Sequence, residues 1–77
     1  MKVRVIFFAQ LESMAGTKEL LLENIKDTNS LQERLEQIYP EMIGMPYVIA
    51  VNKDIVHDNT TLSDGNTVAF LPPFSGG

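Results

Sequence analysis

An α+β domain, with one main helix laid over a mixed β-sheet, is the fold class that this 77-residue sequence predicts. Three observations carry that reading. The chain starts with an alternating run of β-branched and aromatic residues. One amphipathic segment with helix-capping residues lies near its middle, and further strand-like runs separated by turn residues follow.

The first element is Lys2 to Phe8, where Val3, Val5 and Phe7 alternate with Lys2, Arg4, Ile6 and Phe8. A pleated, half-buried strand prefers such residues, and Val3, Val5 and Phe7 are expected to face inward. From Gln10 to Ala15, Leu11, Met14 and Ala15 sit at helical spacing. Gly16 follows where a left-handed C-terminal cap needs it, which predicts a short helix. Thr17 to Ile25 holds Leu20, Leu21 and Leu22 between charged residues, and its place between two helical segments makes it a strand pairing with the first.

The main helix follows. Leu31, Leu35 and Ile38 recur at i, i+4 and i+7, Asn29 or Ser30 can cap the segment, and Ser30 to Glu33 matches the S-x-x-E capping box. It should stop near Tyr39, because Pro40 disfavours helical geometry in the residue before it and lacks an N–H. Glu41 to Pro46 reads as a connection and Tyr47 to Val51 as an interior strand. Asn52-Lys53-Asp54 is a turn before a short Ile55-Val56 strand. Ser63-Asp64-Gly65-Asn66 is a second turn with Gly65 free to take positive φ, and Thr67 to Leu71 is the last strand. A β-grasp, ubiquitin-like arrangement accommodates this order economically, with a late strand returning beside the first. The division expected is a domain over residues 1–71 and an extended tail over 72–77.

Composition narrows the function classes. There is no cysteine, so neither disulfides nor a thiolate metal cage can support so small a core, and a reducing cytoplasmic setting is expected. The N-terminal apolar run is far shorter than the roughly 20 residues that span a bilayer, so no membrane association is expected. Net charge is −4, and the six basic residues are dispersed rather than striped, which argues against nucleic acid as a partner. His57, the single histidine, has no second histidine or cysteine to complete a metal site or triad and reads as a surface loop residue. The glutamates read as solubilising, and Met14, Met42 and Met45 as core filler.

The chemistry is expected in Pro72-Pro73-Phe74-Ser75-Gly76-Gly77. Two prolines fix φ and remove donors, so the chain leaves the sheet as an extended arm, and six such residues reach at most about 20 Å. Glycines narrow the channel that the arm requires and leave the terminal carboxylate unhindered. With glycine near 7% of residues, two terminal glycines arise by chance in roughly 0.5% of chains. Chance does not also supply the prolines. The Gly77 carboxylate is thus a candidate reactive group, with a merely frayed terminus as the alternative reading; such a carboxylate is inert until adenylation turns an oxygen into a leaving group, after which attack by a sulfur donor would leave a thiocarboxylate.

Val5 to Leu11 followed by Gly16, Ala50-Val51-Asn52, Leu62-Ser63-Asp64-Gly65, and Val68 to Pro73 with Gly76-Gly77 together resemble the molybdopterin synthase small (sulfur carrier) subunit family. Glu12-Ser13 stand where that family commonly has Arg-Glu, and Phe74 where valine is more usual. The resemblance implies a β-grasp carrier without catalytic residues of its own beyond Gly77, which would become a glycyl adenylate and then a 1-thioglycine. It implies an E1-like adenylating enzyme that uses ATP, a sulfurtransferase, and the large synthase subunit as partners, with no bound cofactor. Sulfur would pass to cyclic pyranopterin monophosphate to build the dithiolene of molybdopterin. A thiamine-thiazole sulfur carrier or a ubiquitin-like protein modifier are the alternatives. Phe8 and Leu71, on the strand faces opposite the inward residues, with Ile55, are expected to form the docking patch for the large subunit.

Overall fold

The computed structural model describes residues 2–73. In chain order the elements are β1 (Lys2–Phe7), α1 (Gln10–Ala15), β2 (Glu19–Glu23), α2 (Thr28–Ile38), a 3-10 turn (Pro40–Met42), β3 (Val48–Val51), β4 (Asp54–Val56) and β5 (Thr67–Leu71). They build one five-stranded sheet in the order β2-β1-β5-β3-β4. β1 pairs antiparallel with β2 and parallel with β5, while β3 pairs antiparallel with both β5 and β4. The expected return of the last strand beside the first is therefore the central pairing of the sheet.

The alternation of β1 works as expected: Val3, Val5 and Phe7 are fully buried. They join Val68 and Phe70 of β5, Ile49 of β3, Leu31 and Leu35 of α2, and Leu11, Ile25, Met42 and Leu62 in one core. Phe7 packs edge-on to Tyr39 at 5.9 Å, and Phe70 lies 5.2 Å from the Tyr47 ring. The 3-10 turn overlaps the start of the stretch read as a plain connection and carries Met42 into the core, as its role of filler requires.

Several boundaries differ from expectation, each for a physical reason. β1 stops at Phe7 because the chain turns at once: the Leu11 amide donates to the Phe8 carbonyl at 3.1 Å, closing a turn around Ala9. Ala9 has φ 54° and ψ −130°, the first central position of a type II′ turn. β2 is shorter than the run proposed for it, beginning at Glu19 and ending at Glu23. Ile38, placed by periodicity on the core face, is 44% exposed, because the core-facing stripe passes from Leu35 to Tyr39, which packs on Phe7. Gly16 does cap α1 in the left-handed region, with φ 75° and its amide bonded to the Glu12 carbonyl.

The cap of α2 is Asp27, not Asn29 or Ser30, and the Ser30–Glu33 capping box is not formed. Asp27 Oδ1 accepts from the Ser30 amide at 2.8 Å. Asn59, thirty residues away, accepts from the Asn29 amide at 2.9 Å and donates to Asp27 Oδ2 at 3.3 Å. The Thr28 amide and hydroxyl are both tied to Thr60. Three orphan N–H groups of the first turn, those of Thr28, Asn29 and Ser30, are thus satisfied.

Ser30, through its side chain first and its amide second, holds the Asp27 carboxyl below its ordinary value, helped by the Asn59 amide. A carboxyl whose folded value is depressed stabilises the fold above its unfolded value, near 3.9, and loses that contribution as pH falls through the folded one. Asp27→Asn keeps a capping oxygen but cannot titrate. In thermal melts between pH 6 and pH 3, wild type should therefore lose more Tm than Asp27→Asn, with the difference opening below about pH 4. Parallel curves would show that Asp27 does not carry the acid sensitivity.

Candidate functional site

Strand pairing brings a second set of side chains together on the face of the sheet that α2 leaves uncovered. Across it, Ile6 of β1 stands opposite Ala69 of β5, Ala69 opposite Ala50 of β3, and Ala50 opposite Ile55 of β4. One step along, Leu71 stands opposite Val48, and the Phe8 amide donates to the Phe70 carbonyl at 3.1 Å, continuing the β1–β5 ladder. Phe8 is 39% exposed, Ile55 47% and Leu71 half-buried. All three residues expected to form a docking patch thus share one open face, although Ile55 lies in the next row, two strands from β5.

The sequence reading did not select Ile6, Ala69 and Ala50, which form the middle of this face. The signal was present, because the alternation that turns Phe8 and Leu71 outward turns Ile6 and Ala69 outward too. It also turns Arg4 outward, opposite Leu21 of β2. Arg4 makes a two-pronged pair with Glu19, Nε to Oε2 at 2.7 Å and a terminal guanidinium nitrogen to Oε1 at 2.9 Å. The hydrogen bond, more than the bare charge, raises the Arg4 value and lowers that of Glu19. Glu19 is therefore a cross-strand partner as well as a solubilising charge.

Beside this pair lies a shallow depression lined by Arg4, Ile6, Phe8, Lys53, Thr67 and Ala69. A second cleft, at the start of α2, holds Thr28, Gln32, Tyr47, His57 and Asn59. Its polar groups bond to one another: Gln32 Nε2 donates to the Tyr47 hydroxyl at 3.0 Å, and Thr28 to Asn59. Among the described residues no buried side-chain nitrogen or oxygen lacks a partner, and no group of three His, Cys, Asp or Glu is placed to hold a metal. His57 is exposed, beyond the end of β4, as a loop residue would be. No helix among the described residues is long and apolar enough to cross a membrane.

β5 ends at Leu71, Pro72 is half-buried and Pro73 exposed. The expected reactive residue Gly77, with Phe74, Ser75 and Gly76, lies outside the described residues. The strand that leads to them is the central one, and its outward residues Ala69 and Leu71 belong to the open face.

A mixed sheet wrapped on one helix, with a parallel pair of terminal strands at its centre and a proline-led exit from the last, defines a β-grasp domain of the ubiquitin-like class. Comparison with known proteins narrows this. The model of the ThiS family matches residues 5–77, and the chain belongs to that family. It is 33% identical to a molybdopterin synthase sulfur carrier subunit of Chlamydomonas reinhardtii, over all of both chains. Among solved structures it superposes on the small archaeal modifier protein 1 of Methanosarcina acetivorans with TM-score 0.85 and 26% identity, covering 99% of this chain and 96% of that one. It is also similar, with TM-score 0.74 and 29% identity over all of both chains, to a chain in the complex of subunits 1 and 2 of the molybdopterin-converting factor from Helicobacter pylori.

Proposed function

We propose that this chain is the sulfur carrier subunit of a molybdopterin synthase, a co-substrate whose Gly77 carboxylate is consumed and regenerated. The observation that carries the reading is the continuity between face and tail: β5 supplies both the middle of the exposed apolar surface and the Pro72-Pro73 exit. A partner docked on that face receives the tail from a fixed direction. Six residues beyond Leu71 reach at most about 20 Å, so the body stays outside while the terminus enters a catalytic slot.

In this reading the Gly77 carboxylate attacks the α-phosphate of ATP on an E1-like adenylating enzyme and releases pyrophosphate. A sulfurtransferase persulfide then attacks the acyl carbon and AMP leaves; a thiol cleaves the resulting acyl disulfide, is itself oxidised to a disulfide, and a thiocarboxylate remains. The large synthase subunit accepts the tail through Pro72, Pro73, Phe74, Ser75 and Gly76, docks on Phe8, Ile55 and Leu71, and passes the sulfur to cyclic pyranopterin monophosphate. The carrier itself contributes no acid, base or metal.

The likeness to small archaeal modifier protein 1 favours a second reading, in which Gly77 is joined to a lysine of another protein. One experiment separates the two. The chain is incubated with ATP, the adenylating enzyme and a sulfur source, and its intact mass is measured. Oxygen-for-sulfur exchange located at the last residue is the expected result. A glycyl-lysine isopeptide without that exchange would replace the sulfur-carrier reading with the modifier reading.

A further inference from the structure

The hairpin turn between β3 and β4 carries a residue that the backbone disfavours. Asn52 and Lys53 both have positive φ, 48° and 77°, the geometry of a two-residue turn that Asn-Gly fills best. Asn52 suits its place. Asparagine tolerates the left-handed region, its Oδ1 accepts from the Thr67 amide at 2.9 Å, and its own amide donates to the Thr67 carbonyl at 2.8 Å. Lys53 has no such compensation. Its Cβ crowds the following carbonyl, and glycine would hold the same turn with less strain. Among the described residues its ammonium takes part in no ion pair.

What Lys53 does have is position. It stands at the depression of the open face, beside Ile6, Phe8 and Ala69. Arg4, the other cation there, is already held at both prongs by Glu19. Asp54, the carboxylate next in sequence, stands opposite core-packed Val51, on the other side of the hairpin from Ala50 and Ile55. An acidic chain of net charge −4 therefore presents an uncompensated cation at the rim of its apolar surface, at the cost of backbone strain.

We infer that Lys53 is a specificity-determining contact of the open face: it receives a carboxylate of the docking partner, set beside an apolar side chain that enters the depression between Ile6, Phe8 and Ala69. The inference rests on the docking reading above. Pairing at the rim of an apolar contact favours encounter with the right partner and penalises surfaces that offer a cation there.

The test combines thermal unfolding with binding to the purified large synthase subunit at low and high salt. Lys53→Gly should raise Tm by about 3–6 °C, because the turn is relieved of strain. It should also weaken binding about five- to tenfold at low salt, mostly through slower association, with a flatter salt dependence than wild type. Lys53→Gln keeps the strain and removes the charge, so it should lose affinity without the gain in Tm, while Lys53→Arg should bind like wild type. Unchanged affinity in both Lys53→Gly and Lys53→Gln at low salt would overturn the inference, as would Lys53→Arg binding as weakly as Lys53→Gly. Phe8→Asp separates the two levels. If it abolishes binding while Lys53→Gly does not weaken it, docking on this face stands and the role of Lys53 falls. If neither variant matters, the docking reading falls and the inference with it.

Discussion

Deleting Gly77, or adding one residue after it, should abolish adenylation and thiocarboxylate formation while leaving the domain folded. In the carrier reading, activation needs a free carboxylate at residue 77, at the end of a segment whose length limits its reach. Removing a residue withdraws that end by about 3.5 Å, more than the roughly 0.5 Å within which reacting groups must be held. Adding one places a blocked amide where the nucleophilic carboxylate should be. Stability should move by no more than about 0.5 kcal/mol, because every core residue among the described residues lies at or before Phe70. Melts and adenylation assays on the same preparations check both halves. Normal activation of the deletion variant would defeat the proposal that the terminus is the working group.

Phe8→Asp should weaken association with the large synthase subunit by about 30-fold or more, which corresponds to about 2 kcal/mol. Phe8 is the largest apolar side chain at the depression of the open face, and docking would set a carboxylate against Ile6 and Ala69, where it would also compete with the partner's carboxylate for Lys53. A charge taken out of water without a partner is costly. The fold should tolerate the change, since the Phe8 ring points away from the core that Phe7 enters. Titration calorimetry on folded variant measures the loss, and unaltered affinity would remove the face from the interface.

Where one local rule dominated, the fold was legible in the sequence. The alternation of Val3, Val5 and Phe7, the glycine that ends α1 and the proline that ends α2 each act within a few residues. The failures came where distant contacts chose among equals. Asp27, Thr28, Asn29 and Ser30 are all capping residues, and Asn59 and Thr60 decide among them from across the chain. Ile38 and Tyr39 both satisfy the helical period beyond Leu35 and Leu31, and it is Phe7, distant in sequence, that takes Tyr39. Ladder order was beyond reach for the same reason, because the pairing of Val5 with Val68 spans most of the chain.

The site was legible in a different way. Phe8, Ile55 and Leu71 could be named from strand faces, but their sharing one surface depends on registers that no local pattern encodes. The Arg4–Glu19 pair and the exposed position of Lys53 also needed the sheet. A left-handed lysine cannot be recognised from Asn52-Lys53-Asp54 alone, since the same letters suit turns of either hand.

The placement of β5 between β1 and β3 bears on how the domain withstands its own use. In the proposed carrier role, a pull along the chain beyond Pro73 would run straight into a strand flanked on both sides. With one neighbour parallel and the other antiparallel, the load is spread lengthwise over both ladders, whose bonds resist together instead of parting one after another. A last strand at the sheet margin would meet the same traction with one ladder instead of two, whereas in the carrier role this body would act as an anchor while its end is worked upon.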